Sequence, residues 1–149
     1  MASLPTVGGS EDTWGTELNA FLGVSLDASG FVKRQLAEAD IANVPTGVDI
    51  TDLCIYGSGY AQTLKKIGIL VKGTPAGIDN SNTVVLTIKN GAAQTILTKT
   101  YNAGTQPPTN DFEDLGTISI ATVAANDKLT LTMVQGTTAN MPGFSIILE

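Results

Sequence analysis

The chain has 149 residues, a formal net charge of −6, a pI of about 4.4 and no histidine. This length suffices for one domain with a hydrophobic core and a short extension. The absence of histidine excludes Ser-His-Asp and Cys-His catalytic arrangements and Cys/His zinc clusters. The eight Lys and Arg residues are scattered along an acidic chain, so we expect no nucleic-acid partner.

The first thirty residues differ in pattern from the rest of the chain. Pro5 and the Gly8-Gly9 pair keep the opening segment out of regular structure. Ser10, Asp12 and Thr13 are good N-cap residues, and apolar residues follow at the spacing i, i+4, i+7, i+8. These apolar residues are Trp14, Leu18, Phe21 and Leu22. The spacing predicts a short helix over residues 12–23.

Two motifs in this segment carry a family resemblance. Pro-x-Val-Gly-Gly at residues 5–9 and Trp-Gly-x-x-Leu-Asn at residues 14–19 resemble the N-terminal segment of accessory virion proteins of tailed bacteriophages. Head decoration (cement) proteins, head fibres and tail fibres carry such segments, which commonly serve attachment or assembly. The resemblance is confined to the first thirty residues.

The resemblance implies a structural virion protein of the capsid decoration or head-fibre type. Its expected place is the outer capsid surface, after synthesis in the host cytoplasm. The implied partners are the major capsid protein lattice and sister subunits in a homotrimer. The implied interface residues are Leu4, Pro5, Gly8, Gly9, Trp14, Leu18, Phe21 and Leu22. Two alternatives stay open, namely packing of the helix on its own domain and a tail-fibre component whose body binds a host surface glycan.

The chain divides at a change of pattern near residue 45. We expect an N-terminal arm over residues 1–44, in which residues 31–43 form a linker, and a body over residues 45–149. Apolar and polar residues alternate with period two in the body, which predicts about seven strands. These include residues 48–56, 84–89, 94–101, 118–120, 128–134 and 144–148, and Asn90-Gly91 predicts a hairpin turn. The predicted fold is an all-β antiparallel sandwich, jelly-roll-like or else Ig-like.

The body offers few groups for chemistry. The candidate paired carboxylates are Asp49 with Asp52, and Asp111 with Glu113 and Asp114. Oxygen-rich loops at residues 79–82 and 110–114 have calcium ligand types without EF-hand spacing. Aromatic candidates for sugar contact are Tyr56, Tyr60, Tyr101 and Phe112. The lone Cys54 is interpreted as a small buried residue. We expect no enzyme activity, no cofactor, no metal and no membrane segment.

Overall fold

The computed structural model describes residues 37–149 of the chain. These residues form ten β-strands joined by loops and turns, and they include no helix. The all-β prediction is therefore confirmed for these residues. The strands are β1 (Ala37–Ile41), β2 (Ile50–Gly57), β3 (Gln62–Thr63), β4 (Ile67–Val71), β5 (Val84–Asn90), β6 (Thr95–Tyr101), β7 (Phe112–Asp114), β8 (Thr122–Val123), β9 (Lys128–Gln135) and β10 (Phe144–Leu148).

Eight of these strands form two four-stranded antiparallel sheets. Sheet I has the order β1-β10-β4-β7 and sheet II the order β2-β9-β5-β6, while β3 and β8 pair separately. Most neighbours in the sheets are distant in the sequence. The first strand pairs with the last, for example, in a register that runs from Ala37 opposite Leu148 to Ile41 opposite Phe144.

One hydrophobic core draws on both sheets, so the arrangement is sandwich-like. The period-two pattern explains this core, because alternate side chains of a strand point to opposite faces. In β5, Val84, Leu86 and Ile88 are fully buried, whereas the residues between them are half-buried on the outer face. The central strands β4 and β10 of sheet I contribute Ile67, Ile69, Phe144 and Ile146, all fully buried.

Four loops that connect one sheet with the other meet at one end of the molecule, which we call the four-loop end. The β1–β2 loop joins the β9–β10 loop through the hydrogen bond from Gly47 N to Ala139 O. The β4–β5 loop joins it through the Ala76–Asn140 bridge. The β6–β7 loop donates from Asn110 N to Gly73 O. Backbone hydrogen bonds thus tie all four loops together.

The opposite end carries the start of β1 and the end of β10, and we call it the terminal end. Here the β2–β3 loop donates from Ser58 N to Asp127 O, and Gly91 N of the β5–β6 turn donates to Asp127 Oδ1. Asp127 therefore holds three loops together, because it lies in the turn before β9. This end also includes Glu149, whose backbone oxygen accepts from Lys65 N and Lys66 N.

The hairpin predicted at Asn90-Gly91 is confirmed as the β5–β6 connection. Ala93 N donates to Asn90 O, and Ala93 takes the left-handed backbone conformation with φ 60°. This is a three-residue loop that ends in a left-handed residue. A Cβ at Gly91 would overlap Asp127 Oδ1, so a larger residue there would displace this carboxylate.

Two strand predictions were wrong. Residues 37–41, which we predicted as part of a linker, form β1, because their backbone pairs with β10 and Ile41 enters the core. Residues 118–120 have the alternating pattern of a strand but lie in none of the ten strands. Ser119 N donates one backbone hydrogen bond to Ile96 O of β6. The last strand, residues 144–148, lies where the pattern predicted it.

The prediction that Cys54 is buried was also wrong. Cys54 lies opposite Thr130 on the outer face of sheet II and is exposed. Strand β2 has register shifts between Ile50 and Leu53 and again between Cys54 and Tyr56. These irregularities disturb the alternation from which the burial of Cys54 was inferred.

Candidate functional site

The eight residues predicted as the attachment interface, from Leu4 to Leu22, lie outside the described residues, and so does the predicted helix. The site candidates that the structure does place are the carboxylates, the oxygen-rich loops and the aromatic residues of the body. Each is considered below by what its side chain contacts.

The structure does not make Asp49 and Asp52 a pair acting on one substrate. Asp49 Oδ1 accepts a hydrogen bond from Gln135 N at 2.8 Å and so anchors the chain before β2 to β9. Asp52 has a positive φ of 47°, and its carboxylate accepts from Thr132 Oγ1 at 3.1 Å. Both carboxylates thus fix the irregular edge strand β2 to its neighbour.

The second carboxylate group divides between the two faces of sheet I. Glu113 faces the space between the sheets, where its Oε1 lies 2.5 Å from Lys99 Nζ and its Oε2 accepts from Tyr101 OH at 2.8 Å. Tyr101 is fully buried, and burial beside the Glu113 carboxylate raises the pKa of its hydroxyl far above the usual value. Asp114 accepts from Gly116 N and lies 3.5 Å from Lys66 Nζ.

The loop at residues 79–82 uses its carboxylate internally. Asp79 Oδ1 accepts from Ser81 N and Asn82 N, both at 2.7 Å, and these two backbone hydrogen bonds lower the pKa of Asp79. Asn82 Oδ1 in turn accepts from Thr137 Oγ1 and Thr138 N. This arrangement ties the β4–β5 loop to the β9–β10 loop.

Neither a metal-ligand cluster nor a membrane-spanning helix is present among the described residues. Within residues 37–149, no three Cys, Asp or Glu side chains cluster in a way that would hold a metal ion. None of the described secondary structure is a helix long and apolar enough to cross a membrane.

The four aromatic candidates for sugar contact have different environments. Tyr101 is buried and Tyr56 packs partly against the core. Phe112 lies on the outer face of sheet I, where its ring covers Gly68 and Lys66 Nζ stands 5.0 Å from the ring centroid. Tyr60 is the most exposed of the four, with 80% of its surface exposed against 39% for Phe112.

Sequence reasoning missed a positively charged corner at the terminal end, formed by Tyr60, Lys89 and Lys128. Lys89 pairs with Thr130, and Lys128 lies two residues before Thr130 on the same face of β9. Gly57, at the end of β2, pairs with Lys128, so the loop that holds Tyr60 begins beside this lysine. Strand register brings the two lysines together and places the start of the Tyr60 loop beside Lys128, and the sequence does not reveal that register.

Comparison of the chain with protein-family models and with curated proteins found no match.

Proposed function

We propose that this protein is a structural component of a tailed-phage virion that decorates and stabilises the capsid exterior. The observation that carries the proposal is the Pro-x-Val-Gly-Gly and Trp-Gly-x-x-Leu-Asn segment in front of an all-β body. The contacts of the body support a structural role, because three of the carboxylates considered for catalysis, Asp49, Asp52 and Asp114, each hold a loop or a strand in place. We therefore propose that the protein is not an enzyme.

We infer further that the body is a jelly roll. If the two-residue strands β3 and β8 are set aside, the remaining eight strands pass between the sheets in the order that two Greek keys produce, and only β5 and β6 follow each other within one sheet. The sheet orders β1-β10-β4-β7 and β2-β9-β5-β6 support this topology, as do the four inter-sheet loops at one end. Jelly rolls also serve as capsid domains, which fits a role on a particle surface.

The mechanism is stabilisation by mass action. A protein that binds the assembled lattice but not free capsid subunits shifts the equilibrium toward the lattice. Each attachment makes modest contacts, and three arms in a homotrimer multiply them through a high effective concentration. Trp14 is the proposed anchor of each arm, since buried Trp residues are enriched among interface hot spots.

The test is co-sedimentation of the purified protein with separated heads and tails of the cognate phage. Trp14→Ala should weaken binding to heads by about 2 kcal/mol, or roughly thirtyfold, and leave the far-UV circular dichroism of the body unchanged. Phe31→Ala, which lies outside the eight interface residues, is the matched control and should bind normally. Unchanged occupancy of heads by Trp14→Ala would refute the proposed anchor.

A second candidate function is that of a tail-fibre component whose body binds a host surface glycan. The observation that favours it is Tyr60 on the β2–β3 loop, which has 80% of its surface exposed. Of the four aromatic candidates for sugar contact, it is the one that solvent reaches most. Sedimentation with tails alone, followed by binding of the full chain in a glycan screen, would favour this function over decoration.

A further inference from the structure

Two lysines that belong to no ion pair stand close together on the outer face of sheet II. Lys89 and Lys128 are diagonal neighbours on β5 and β9, a relation in which Cβ atoms are about 7–8 Å apart. The ion pairs of the described residues join Lys66, Lys72 and Lys99 to carboxylates, and neither Lys89 nor Lys128 takes part in one. The Asp127 carboxylate lies nearby, where its Oδ1 accepts from the backbone N–H groups of Gly91 and Lys128. Two positive charges therefore stand against one negative charge, and the corner keeps a net positive charge.

This arrangement is unusual for a chain with a net charge of −6. Two like charges at this spacing repel each other, and a negative group placed between them would relieve that repulsion. The rest of the sheet II outer face includes Thr87, Thr98, Thr132, Val85 and Val134, all uncharged. Asp52, at the edge strand, is its one carboxylate within the described strands, and it bonds Thr132.

Tyr60 adds an exposed aromatic ring on a loop that starts at Gly57, opposite Lys128, and is held in place. Ser58 is buried, and its hydroxyl contacts both the backbone N–H and the backbone oxygen of Tyr60. Ser58 N is bonded to Asp127 O, so the loop is also fixed to the turn before Lys128. A Cβ on Gly57 or Gly59 would meet nothing within 4 Å, so the backbone around Tyr60 is open to close approach.

We propose that the positively charged corner is a docking site for an acidic protein surface on the capsid lattice. The lysines supply charge complementarity, and Tyr60 supplies a large rigid contact, of the residue type enriched at interface hot spots. The corner lies at the terminal end, where the chain enters β1 from residue 36. The inference rests on the proposed decoration function and adds a second, body-borne contact to the one made by the arm.

The composition of the corner favours a protein over a polyanion. Binding of nucleic acid or a sulfated polysaccharide uses a dense basic stripe that follows the backbone of the ligand. Here two lysines flank one aromatic residue, and the adjoining face is Thr and Val. Such a mixture of apolar, aromatic and few charged groups is the usual composition of a protein–protein contact.

The main experiment compares two full-length double variants with the same change in net charge. Lys89→Gln/Lys128→Gln removes the two charges, and Ala103→Glu/Thr109→Glu adds two negative charges at exposed sites of the four-loop end. Co-sedimentation with heads should show about tenfold weaker binding and a smaller salt dependence for the lysine variant only. Equal binding of the lysine variant and the wild type would overturn the docking site while leaving the decoration function intact.

A second pair of variants tests the aromatic contact. Tyr60→Ala should weaken binding to heads, whereas Tyr60→Phe, which keeps the ring, should bind within about threefold of the wild type. If Tyr60→Ala binds as tightly as the wild type, Tyr60 does not belong to the docking site.

A wild type that binds no heads would refute the decoration function. Titrations with model polyanions test the docking site separately in that case. Poly-L-glutamate represents an acidic protein surface, and heparin represents an anionic polysaccharide. The inference predicts that poly-L-glutamate binds the wild type and that the lysine variant loses this binding. No binding of poly-L-glutamate, or tighter lysine-dependent binding of heparin, would overturn it. So would a loss of self-association in the lysine variant, because the partner would then be a second copy of this chain.

Discussion

At the scale of single residues, the four-loop end depends on one very close backbone approach. Gly77 has a positive φ of 64°, and a Cβ at this position would overlap the backbone oxygen of Thr138. The neighbouring Ala76–Asn140 bridge holds the two loops at this distance. Glycine is therefore needed here both for its backbone conformation and for the absence of a side chain.

We predict that Gly77→Ala destabilises the body by more than about 2 kcal/mol, because left-handed strain and steric overlap add together. Urea denaturation followed by far-UV circular dichroism measures the change. Gly116→Ala is the matched control: Gly116 also has a positive φ, but a Cβ there would have open space, so only strain of about 1 kcal/mol is expected. Equal losses for the two variants would show that the contact with Thr138 does not constrain the loop.

At the scale of elements, β1 shows how pairing overrides intrinsic preference. Its sequence, Ala-Glu-Ala-Asp-Ile, has low β-propensity, yet all five residues pair with β10. On its outer face Asp40 accepts a hydrogen bond from Lys72 at 2.8 Å, and this contact lowers the pKa of the exposed Asp40 carboxyl. Ile41 at its end is buried in the core. The pairing with β10 and the burial of Ile41 therefore make β1 a stabilising part of the body.

Two truncations test this assignment. Deletion of residues 1–36 should leave the body folded, because the core and the strand pairing described here are made by residues 37–149. Deletion of residues 1–44 removes β1 as well, uncovers β10 and should destabilise the body by more than about 3 kcal/mol. The urea midpoint and the solubility of each truncation are the measurements. If both truncations have the same midpoint, β1 contributes nothing to the stability of the body.

Local pattern predicted the strands whose alternation reflects burial on one face. These include β5, β9 and β10, which lie inside the sheets and present one face to the core. The pattern failed at β1, which pairing creates, and at residues 118–120, which alternate without a partner strand. The corner that includes Tyr60, Lys89 and Lys128 was beyond prediction, because strand register places Lys89 near Lys128 and sets Gly57, where the Tyr60 loop starts, opposite Lys128.

At the scale of the whole molecule, a polar cluster joins the two sheets along one side. Glu113 of β7 in sheet I reaches Lys99 and Tyr101 of β6 in sheet II, so the cluster links the edge strands of both sheets. Lys99 Nζ also stands 5.4 Å from the centroid of the Tyr101 ring. Charge-assisted hydrogen bonds are stronger than neutral ones, and this cluster supplies them where the hydrophobic core meets solvent.

This cluster sets an alkaline limit, by which we mean a pH above which the free energy of unfolding falls. Tyr101 has a raised pKa in the folded state, because the neutral hydroxyl is buried and donates to Glu113. Below about pH 10, the usual pKa of tyrosine, the hydroxyl is neutral in both states and its contribution to stability is complete. Above pH 10 the unfolded chain loses this proton while the folded protein keeps it. Stability then falls by about 1.4 kcal/mol per pH unit for this one group.

We predict that Tyr101→Phe is about 1–2 kcal/mol less stable than the wild type at pH 8, because Glu113 loses a hydrogen-bond donor. The variant has no hydroxyl to ionise, so the gap between the two proteins should close by about pH 11. Urea denaturation at pH 8, 10 and 11 measures the gap, and other groups that titrate in this range are common to both proteins. Tyr60→Phe, at an exposed position, should match the wild type at each pH. A gap that stays constant from pH 8 to 11 would contradict the assignment of the alkaline limit to Tyr101.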